Sequence, residues 1–179
     1  NKKKSIIICS ETYSKANKNF NRSVSTLFSD GASAVILDPK NYKLIDSSFG
    51  FKRDTYDDLK CNLNSEIFMD GKKVFNFVSS EVYPALIRML KKNKTIKFDR
   101  IYLHQGSKFV VNFLKNKLKS FSSHIPTNIE RTGNLVSATL PILISQDLRK
   151  KPLKNKEILV LCGFGVGLAY SFAIIEINK

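Results

Sequence analysis

No apolar run in this sequence approaches the roughly 20 residues that a membrane-crossing helix needs. The longest, around "SAVIL" and "AYSFAII", stop far short, and no basic-then-apolar leader opens the chain. A soluble, intracellular chain in the cytoplasm, with no membrane partner, is the expectation. Cysteine is scarce too: the 3 present, Cys9, Cys61 and Cys162, stand far apart with no C-x-x-C pair, which argues against zinc ribbons and redox dithiols. The 2 histidines are too few to build a histidine metal centre. No metal and no cofactor are expected, and the cysteines read as reduced, structural thiols. Low-complexity stretches and short tandem repeats are absent as well.

What remains is ordinary globular composition, 42% hydrophobic and 25% charged over 179 residues, enough for a sizeable core. Acidic residues are the scarce sign, 15 against 30 basic ones, giving a net charge of +15. Nucleic acid draws on such charge. Here, however, the lysines are scattered through "NKKK", "KKNKTIK" and "RKKPLKNK" among asparagines, with no recognition helix, zinc finger or aromatic RNA-binding signature. An acidic protein partner or a phosphate-bearing ligand would suit the same surface, and charge alone leaves all three open.

Along the chain, strand and helix patterns alternate. "SIIICSE" (5–11) reads as a buried strand, "ASAVILD" (32–38) as another after the turn signal "SDG", and "YKLIDSSFGFK" (42–52) as a third. From Gly71 to about Lys92 apolar residues recur every three or four, one face of a long helix that Pro84 should kink or divide. "RIYL" is a strand. In "KFVVNFLKNKLKSF" Phe109, Val110, Phe113, Leu114 and Leu118 form the inward stripe of a helix, and "GNLVSATLPILISQDL" is a buried helix interrupted at Pro141. "EILVLCGF" and "LAYSFAIIEI" are strands joined by the glycine turn 163–167, an antiparallel hairpin. The whole is an α/β layered fold with a mixed sheet and helices on its faces.

Three turns are candidate sites. "GFGVGL" lacks the last glycine of G-x-G-x-x-G, with Leu168 in its place, and a strand follows it, so it is no dinucleotide fingerprint. Such a turn can instead offer backbone N–H groups to a developing negative charge. His104 sits where strand gives way to helix; a lone histidine there is commonly a packing residue, yet the carboxyl end of a parallel strand is also where open α/β sheets hold ligands. Asn134, in "TGN" ahead of a helix, is either an N-cap or part of the same site.

Taken together, "LFSDGASAVILDP", "LHQGSKFVVNFL", "RTGNLVSATLPI" and "LVLCGFGVGLAYSFAII" resemble, in order and spacing from about Ile6 to Ile175, the motifs of the β-ketoacyl-acyl-carrier-protein synthase III branch of the thiolase-fold condensing enzymes. The resemblance implies two similar halves in an α-β-α-β-α sandwich. Residues 1–40 would be the last strands of the N-terminal half and 41–179 the complete C-terminal half. It implies His104 and Asn134 as catalytic, the Val166 backbone N–H as an oxyanion-hole donor, and Phe164, Gly165 and Gly106 as pocket lining. Arg22, Lys72, Phe75 and Ser107 would bind coenzyme A or carrier. Departures accompany the matches: Gly106 stands for the family's alanine, Ser107 for its asparagine, and Phe109 where an arginine often helps bind coenzyme A or carrier.

The family's nucleophilic cysteine has no counterpart among Cys9, Cys61 and Cys162, and the sequence has no initiating methionine, so the expectation is part of a longer chain, inactive alone and beginning after that cysteine. A bare sheet and helix surface is expected where the first half would pack. The implied activity is decarboxylative condensation of an acyl group, taken from acyl-coenzyme A as substrate, with malonyl carrier protein in fatty-acid or related biosynthesis, by a homodimer that uses no nucleic acid. The alternatives are a thiolase-fold acyltransferase forming esters or amides, and a non-catalytic paralogue.

Overall fold

The computed structural model describes residues 3–16, 22–61 and 66–179, with the side chains of Arg22 and Ser23 outside that description. The chain runs β1 (Ser5–Glu11), α1 (Tyr13–Ala16), α2 (Arg22–Ser25), β2 (Gly31–Leu37), β3 (Tyr42–Phe51), β4 (Leu59–Cys61), β5 (Ile67–Met69) and α3 (Gly71–Phe77). It continues with α4 (Tyr83–Lys92), β6 (Arg100–Leu103), α5 (Lys108–Leu118), α6 (Ile129–Thr132), α7 (Thr139–Lys150), β7 (Ile158–Gly165) and β8 (Ala169–Ile177). Four strands form the main sheet in the order β3-β8-β7-β6, with β6 parallel to β7 and the other pairs antiparallel. The mixed α/β sheet expected from the sequence is borne out.

One face of this sheet is the main core. Ile101 and Leu103 of β6, Val160 and Cys162 of β7, and Phe172 and Ile174 of β8 point to one side by the two-residue period of a strand. They pack under Leu86 and Leu90 of α4 and Leu114 and Leu118 of α5. The other face carries Tyr102, Leu159 and Ile177, covered by Leu143 of α7.

The helix from Gly71 does divide near Pro84. It does so through a π-turn over Val78–Val82, where the Tyr83 N–H reaches back to the Val78 carbonyl. Pro84 then falls in the first turn of α4, where its missing N–H costs nothing. Pro141, expected to interrupt a helix, instead occupies the first turn of α7, which a 3₁₀ turn over Val136–Ala138 precedes.

Two burial expectations fail. Phe109 is 68% exposed, because α5 turns Val110, Val111, Leu114 and Leu118 inward. The strand β1 is not buried: among the described residues it pairs only with β2, antiparallel with Ile6 opposite Ile36 and Ile8 opposite Ala34. One face of this ribbon meets the Val136–Ala138 turn and α7, with Gly31 against Leu135 and Ile142. The opposite face is bare, with Ile8 at 74% and Ile36 at 68% exposure. On the main sheet Phe49 and Phe51 of β3 are exposed as well. Among the described residues no helix is long and apolar enough to cross a membrane.

A buried ionic cluster fastens β6 to α7. Arg100 is fully buried, donating to Asp147 at 3.0 Å, to Glu157 at 2.8 Å and to the carbonyls of Lys151 and Pro152. Tyr102 donates its hydroxyl to Asp147 at 2.7 Å, and the His124 ring lies 2.9 Å from the same carboxylate.

Candidate active site

The parallel ladder of β6 on β7 extends one bond past Leu103: His104 donates its backbone N–H to the Cys162 carbonyl at 2.8 Å. The histidine main chain is therefore fixed at the carboxyl end of a parallel pair, where α/β sheets hold ligands. Gln105 locks the turn from below. It is fully buried, donates its amide to the Leu103 carbonyl at 2.8 Å and accepts from the Asn128 N–H at 3.2 Å. The His104 ring meets Phe164 edge-on, centroids 5.1 Å apart at 85°. Burial lowers its pKa from 6.5 to about 4. The ring is therefore neutral at pH 7 and carries one N–H donor and one acceptor.

Asn134 arrives from the other side. Gly133 before it has φ of +64°, and a Cβ there would fall 2.3 Å from Ser29 Oγ and 3.1 Å from the Leu27 carbonyl, so only glycine lets the two segments meet. Asn134 donates its N–H to Leu27 at 2.9 Å and accepts from the Ser29 N–H at 2.9 Å. Its side-chain oxygen accepts from the Val136 N–H at 2.9 Å, and its Nδ2 donates to the Gly106 carbonyl at 3.2 Å. Because a backbone donor fixes the oxygen, the NH₂ group is assigned by geometry, and one of its two hydrogens is left for a ligand. Asn134 is not itself an N-cap: Leu135 holds that place before the Val136–Ala138 turn and Ala138 before α7, while the Asn134 side chain braces the turn through Val136 and lines the cavity.

His104, Gly106, Ser107, Asn134, Phe164 and Gly165 line one cavity of about 90 Å³. Leu27 and Phe28 close one wall, and Gly71 and Val74 at the start of α3 another. A Cβ on Gly106 would sit 3.4 Å from His104 Cδ2 and 3.5 Å from Phe164, in ordinary contact, so glycine here leaves extra room and is not a steric requirement. Ser107 also caps α5, its Oγ accepting from the Val110 N–H at 3.2 Å. A larger hollow of about 220 Å³ between β3 and α4 has its acid, Asp46, already engaged by Lys92 at 3.0 Å and Asn93 at 2.8 Å.

The remaining sequence candidates stand apart from this cavity. Val166 is at the exposed tip of the β7–β8 turn, and it is Gly165 that reaches the cavity. Lys72 is exposed, and Phe75 packs its ring on Phe109 at 4.8 Å and Phe113 at 5.3 Å, beside the lining residue Val74. Arg22 starts α2, and its side chain lies outside the described residues.

None of the three cysteines lines the cavity. Cys162 faces the core, and burial raises its thiol well above the usual range, so it stays protonated and inert. Among the described residues no group of three histidine, cysteine or acidic side chains is arranged to hold a metal ion. The cavity is thus lined by two side chains with an N–H to offer, His104 and Asn134, and by no cysteine. Gln105 and the Arg100 cluster were not foreseen. Glutamine beside a histidine carries no periodic signal, and the partners of Arg100 lie 47 and 57 residues further along the chain.

Residues 1–52 match the family model for 3-oxoacyl-[acyl-carrier-protein (ACP)] synthase III, and residues 90–177 match the model for the C terminal of 3-oxoacyl-[acyl-carrier-protein (ACP)] synthase III. The chain belongs to the 3-oxoacyl-[acyl-carrier-protein] synthase III family. His104, Asn134 and the glycine turn all fall within the C-terminal match, while Leu27 and Phe28 come from the first. The beta-ketoacyl-[acyl-carrier-protein] synthase III of Prochlorococcus marinus is 29% identical over 173 residues, which are 84% of this chain and 51% of that protein. The protein of the same name from Clostridium novyi is 29% identical over 193 residues, 98% of this chain and 60% of that one. A 3-oxoacyl-(acyl-carrier-protein) synthase III crystal structure aligns with a TM-score of 0.83 at 25% identity, over 98% of this chain and 60% of the other. The Aquifex aeolicus synthase III structure aligns with a TM-score of 0.85 at 22% identity, over 97% and 58%, and shares the fold. The chain thus spans a little over half the length of these synthase III relatives.

Proposed function

We propose that these residues form the enolate-stabilising half of a 3-oxoacyl-[acyl-carrier-protein] synthase III active site, in a longer protein whose nucleophilic cysteine lies outside these 179 residues. The observation that carries the reading is the convergence of a neutral His104 and an Asn134 amide on one cavity, each with a spare N–H.

The chemistry follows from those donors. The cysteine thiolate attacks an acyl-coenzyme A thioester, and the coenzyme A thiolate leaves. A malonyl carrier-protein thioester then enters and loses carbon dioxide, and the bonding pair stays behind as an enolate with its charge on the thioester oxygen. The His104 and Asn134 N–H groups donate to that oxygen. Neither has to transfer a proton, which suits asparagine, and a histidine held neutral keeps the N–H on one nitrogen without adding charge. Losing one such donor typically costs about 10²- to 10³-fold in rate. The enolate carbon attacks the acyl-cysteine carbonyl, a C–C bond forms, the C–S bond breaks and the thiolate is regenerated. No metal, redox group or organic cofactor enters this sequence.

Residues 1–40 belong, on this reading, to the end of the N-terminal half and 41–179 to the C-terminal half. The partners are acyl-coenzyme A and an acidic carrier protein drawn by the basic surface, the protein is a homodimer, and it works in the cytoplasm. On this reading Arg22, Lys72, Phe75 and Ser107 bind coenzyme A or the carrier, and the Val166 N–H serves the second oxyanion. The test is product analysis with the full-length protein, acyl-coenzyme A and malonyl carrier protein. A 3-oxoacyl product with equimolar carbon dioxide supports the reading. An ester or amide product, or none, refutes it.

A further inference from the structure

The loop between β3 and β4 grips the glycine turn and the start of α3 together. Thr55 is buried, at 7% exposure, in a loop whose residues apart from Thr55 and Asp58 are exposed. Its hydroxyl accepts a hydrogen bond from the Leu168 N–H at 2.8 Å. The single hydroxyl proton goes to the Lys52 carbonyl at 2.8 Å, closer than the Gly167 carbonyl at 3.2 Å. Lys52 returns its own N–H to the Leu168 carbonyl at 2.9 Å. Leu168 is therefore held at both its N–H and its C=O, from one short loop 113 residues earlier in sequence.

The other end of the loop holds the opposite wall of the cavity. Asp58 donates its N–H to the Thr55 carbonyl at 3.0 Å, accepts from the Asp70 N–H at 2.8 Å, and pairs with Lys73 at 2.8 Å. Asp70 in turn caps α3, whose Gly71 and Val74 face the cavity. The turn needs such a hold. Gly167 has φ of +134°, Val166 is exposed, and the cavity-facing Gly165 has no side chain to anchor it.

We infer that Thr55 is a positioning residue: its hydroxyl fixes the Gly165–Leu168 turn so that the turn's backbone N–H groups meet the oxyanion formed when the enolate attacks the acyl-enzyme. The inference rests on the condensing-enzyme reading above. It assigns Thr55 to the second half-reaction, since the enolate itself is served by His104 and Asn134, which Thr55 does not touch.

Two readouts on the full-length protein test it, carbon dioxide released against 3-oxoacyl product formed, and hydrogen exchange at the Leu168 amide, for Thr55→Val and Thr55→Ser. Valine keeps the shape and removes the hydroxyl. The expected result for Thr55→Val is an at least tenfold rise in the ratio of carbon dioxide to product, with exchange at Leu168 accelerated at least tenfold. Thr55→Ser returns both toward wild type. A merely structural Thr55 would lower both half-reactions together and leave the ratio unchanged, which overturns the inference, as does a Thr55→Ser protein as uncoupled as Thr55→Val. If wild type releases no carbon dioxide and forms no product, the proposed function fails, and the assignment of Thr55 to its second half-reaction falls with it. Faster exchange at Leu168 in Thr55→Val then still upholds the structural hold, and unchanged exchange overturns that hold in either case.

Discussion

The side-chain amide of Asn134 donates to the backbone carbonyl of Gly106 at 3.2 Å, so the turn bearing His104 and the turn bearing Asn134 are bonded to each other as well as lining the same cavity. The two turns are thereby held together without a ligand, which on the proposed reading is the preorganisation that electrostatic catalysis requires.

Replacing Asn134 tests that bond directly. Asn134→Asp keeps an oxygen to accept from the Val136 N–H but has nothing to donate to Gly106 or to an enolate. Decarboxylation of malonyl carrier protein by the full-length protein should fall by about 10²- to 10³-fold. Thermal stability should fall as well, since Gly106 loses its donor. Retention of more than half the wild-type rate would remove Asn134 from the site.

Glycine content separates two turns by sterics. Gly106→Ala puts a methyl in ordinary contact with His104 and Phe164 and should leave the melting temperature within a few degrees of wild type. Gly133→Ala drives a Cβ into Ser29 Oγ and the Leu27 carbonyl at a φ of +64°, and should destabilise by several kcal/mol. Thermal denaturation of the two variants side by side should rank them in that order by a wide margin.

The pH dependence of His104 has a definite sign. Its folded pKa, lowered from 6.5 to about 4 by burial, means that the folded state resists protonation. The stability it contributes is fully present above pH 6.5 and is lost progressively as pH falls from there through about 4. In NMR titration the His104 ring signals should stay those of neutral imidazole down to about pH 5, well below an ordinary histidine midpoint. A midpoint near 6.5 would contradict the burial.

Asp147 should govern acid stability at the opposite end of β6. Burial alone would raise its carboxyl, but hydrogen bonds from Tyr102, His124 and Arg100 outweigh it and hold the pKa below 3.8. A lowered carboxylate stabilises above its unfolded pKa, and that contribution disappears as pH falls through the folded value. Asp147→Asn leaves Arg100 buried without that charge partner, and should cost about 3–5 kcal/mol at neutral pH in denaturant unfolding. It should also flatten stability against pH in the acid range.

The bare face of the β1–β2 ribbon gives a last expectation. Ile8 and Ile36, exposed at 74% and 68%, sit on an uncovered apolar face. The 179-residue chain alone should self-associate in sedimentation, and Ile8→Lys with Ile36→Lys should reduce that. A monodisperse monomer without the substitutions would count against it.

Much of this was legible in the sequence because it is written in local patterns. The strand–turn–helix grammar located His104, and the turn "TGN" ahead of a helix located Asn134. What misled were residues whose environment is set by distant neighbours. Phe109 fits the stripe of α5 by spacing but turns outward onto Phe75. The run "SIIICSE" reads as buried because both its faces are apolar, and among the described residues only one of them is covered. Thr55 had no signal at all, since its partner Leu168 is 113 residues away.

The most direct test of the central claim is carbon dioxide release from malonyl carrier protein by the full-length protein, wild type against His104→Ala. Release that falls by about 10²-fold or more, with the acyl-enzyme still forming, is the result expected if His104 donates to the enolate oxygen. Release unchanged by His104→Ala would mean that the cavity shared with Asn134 does not do the chemistry assigned to it.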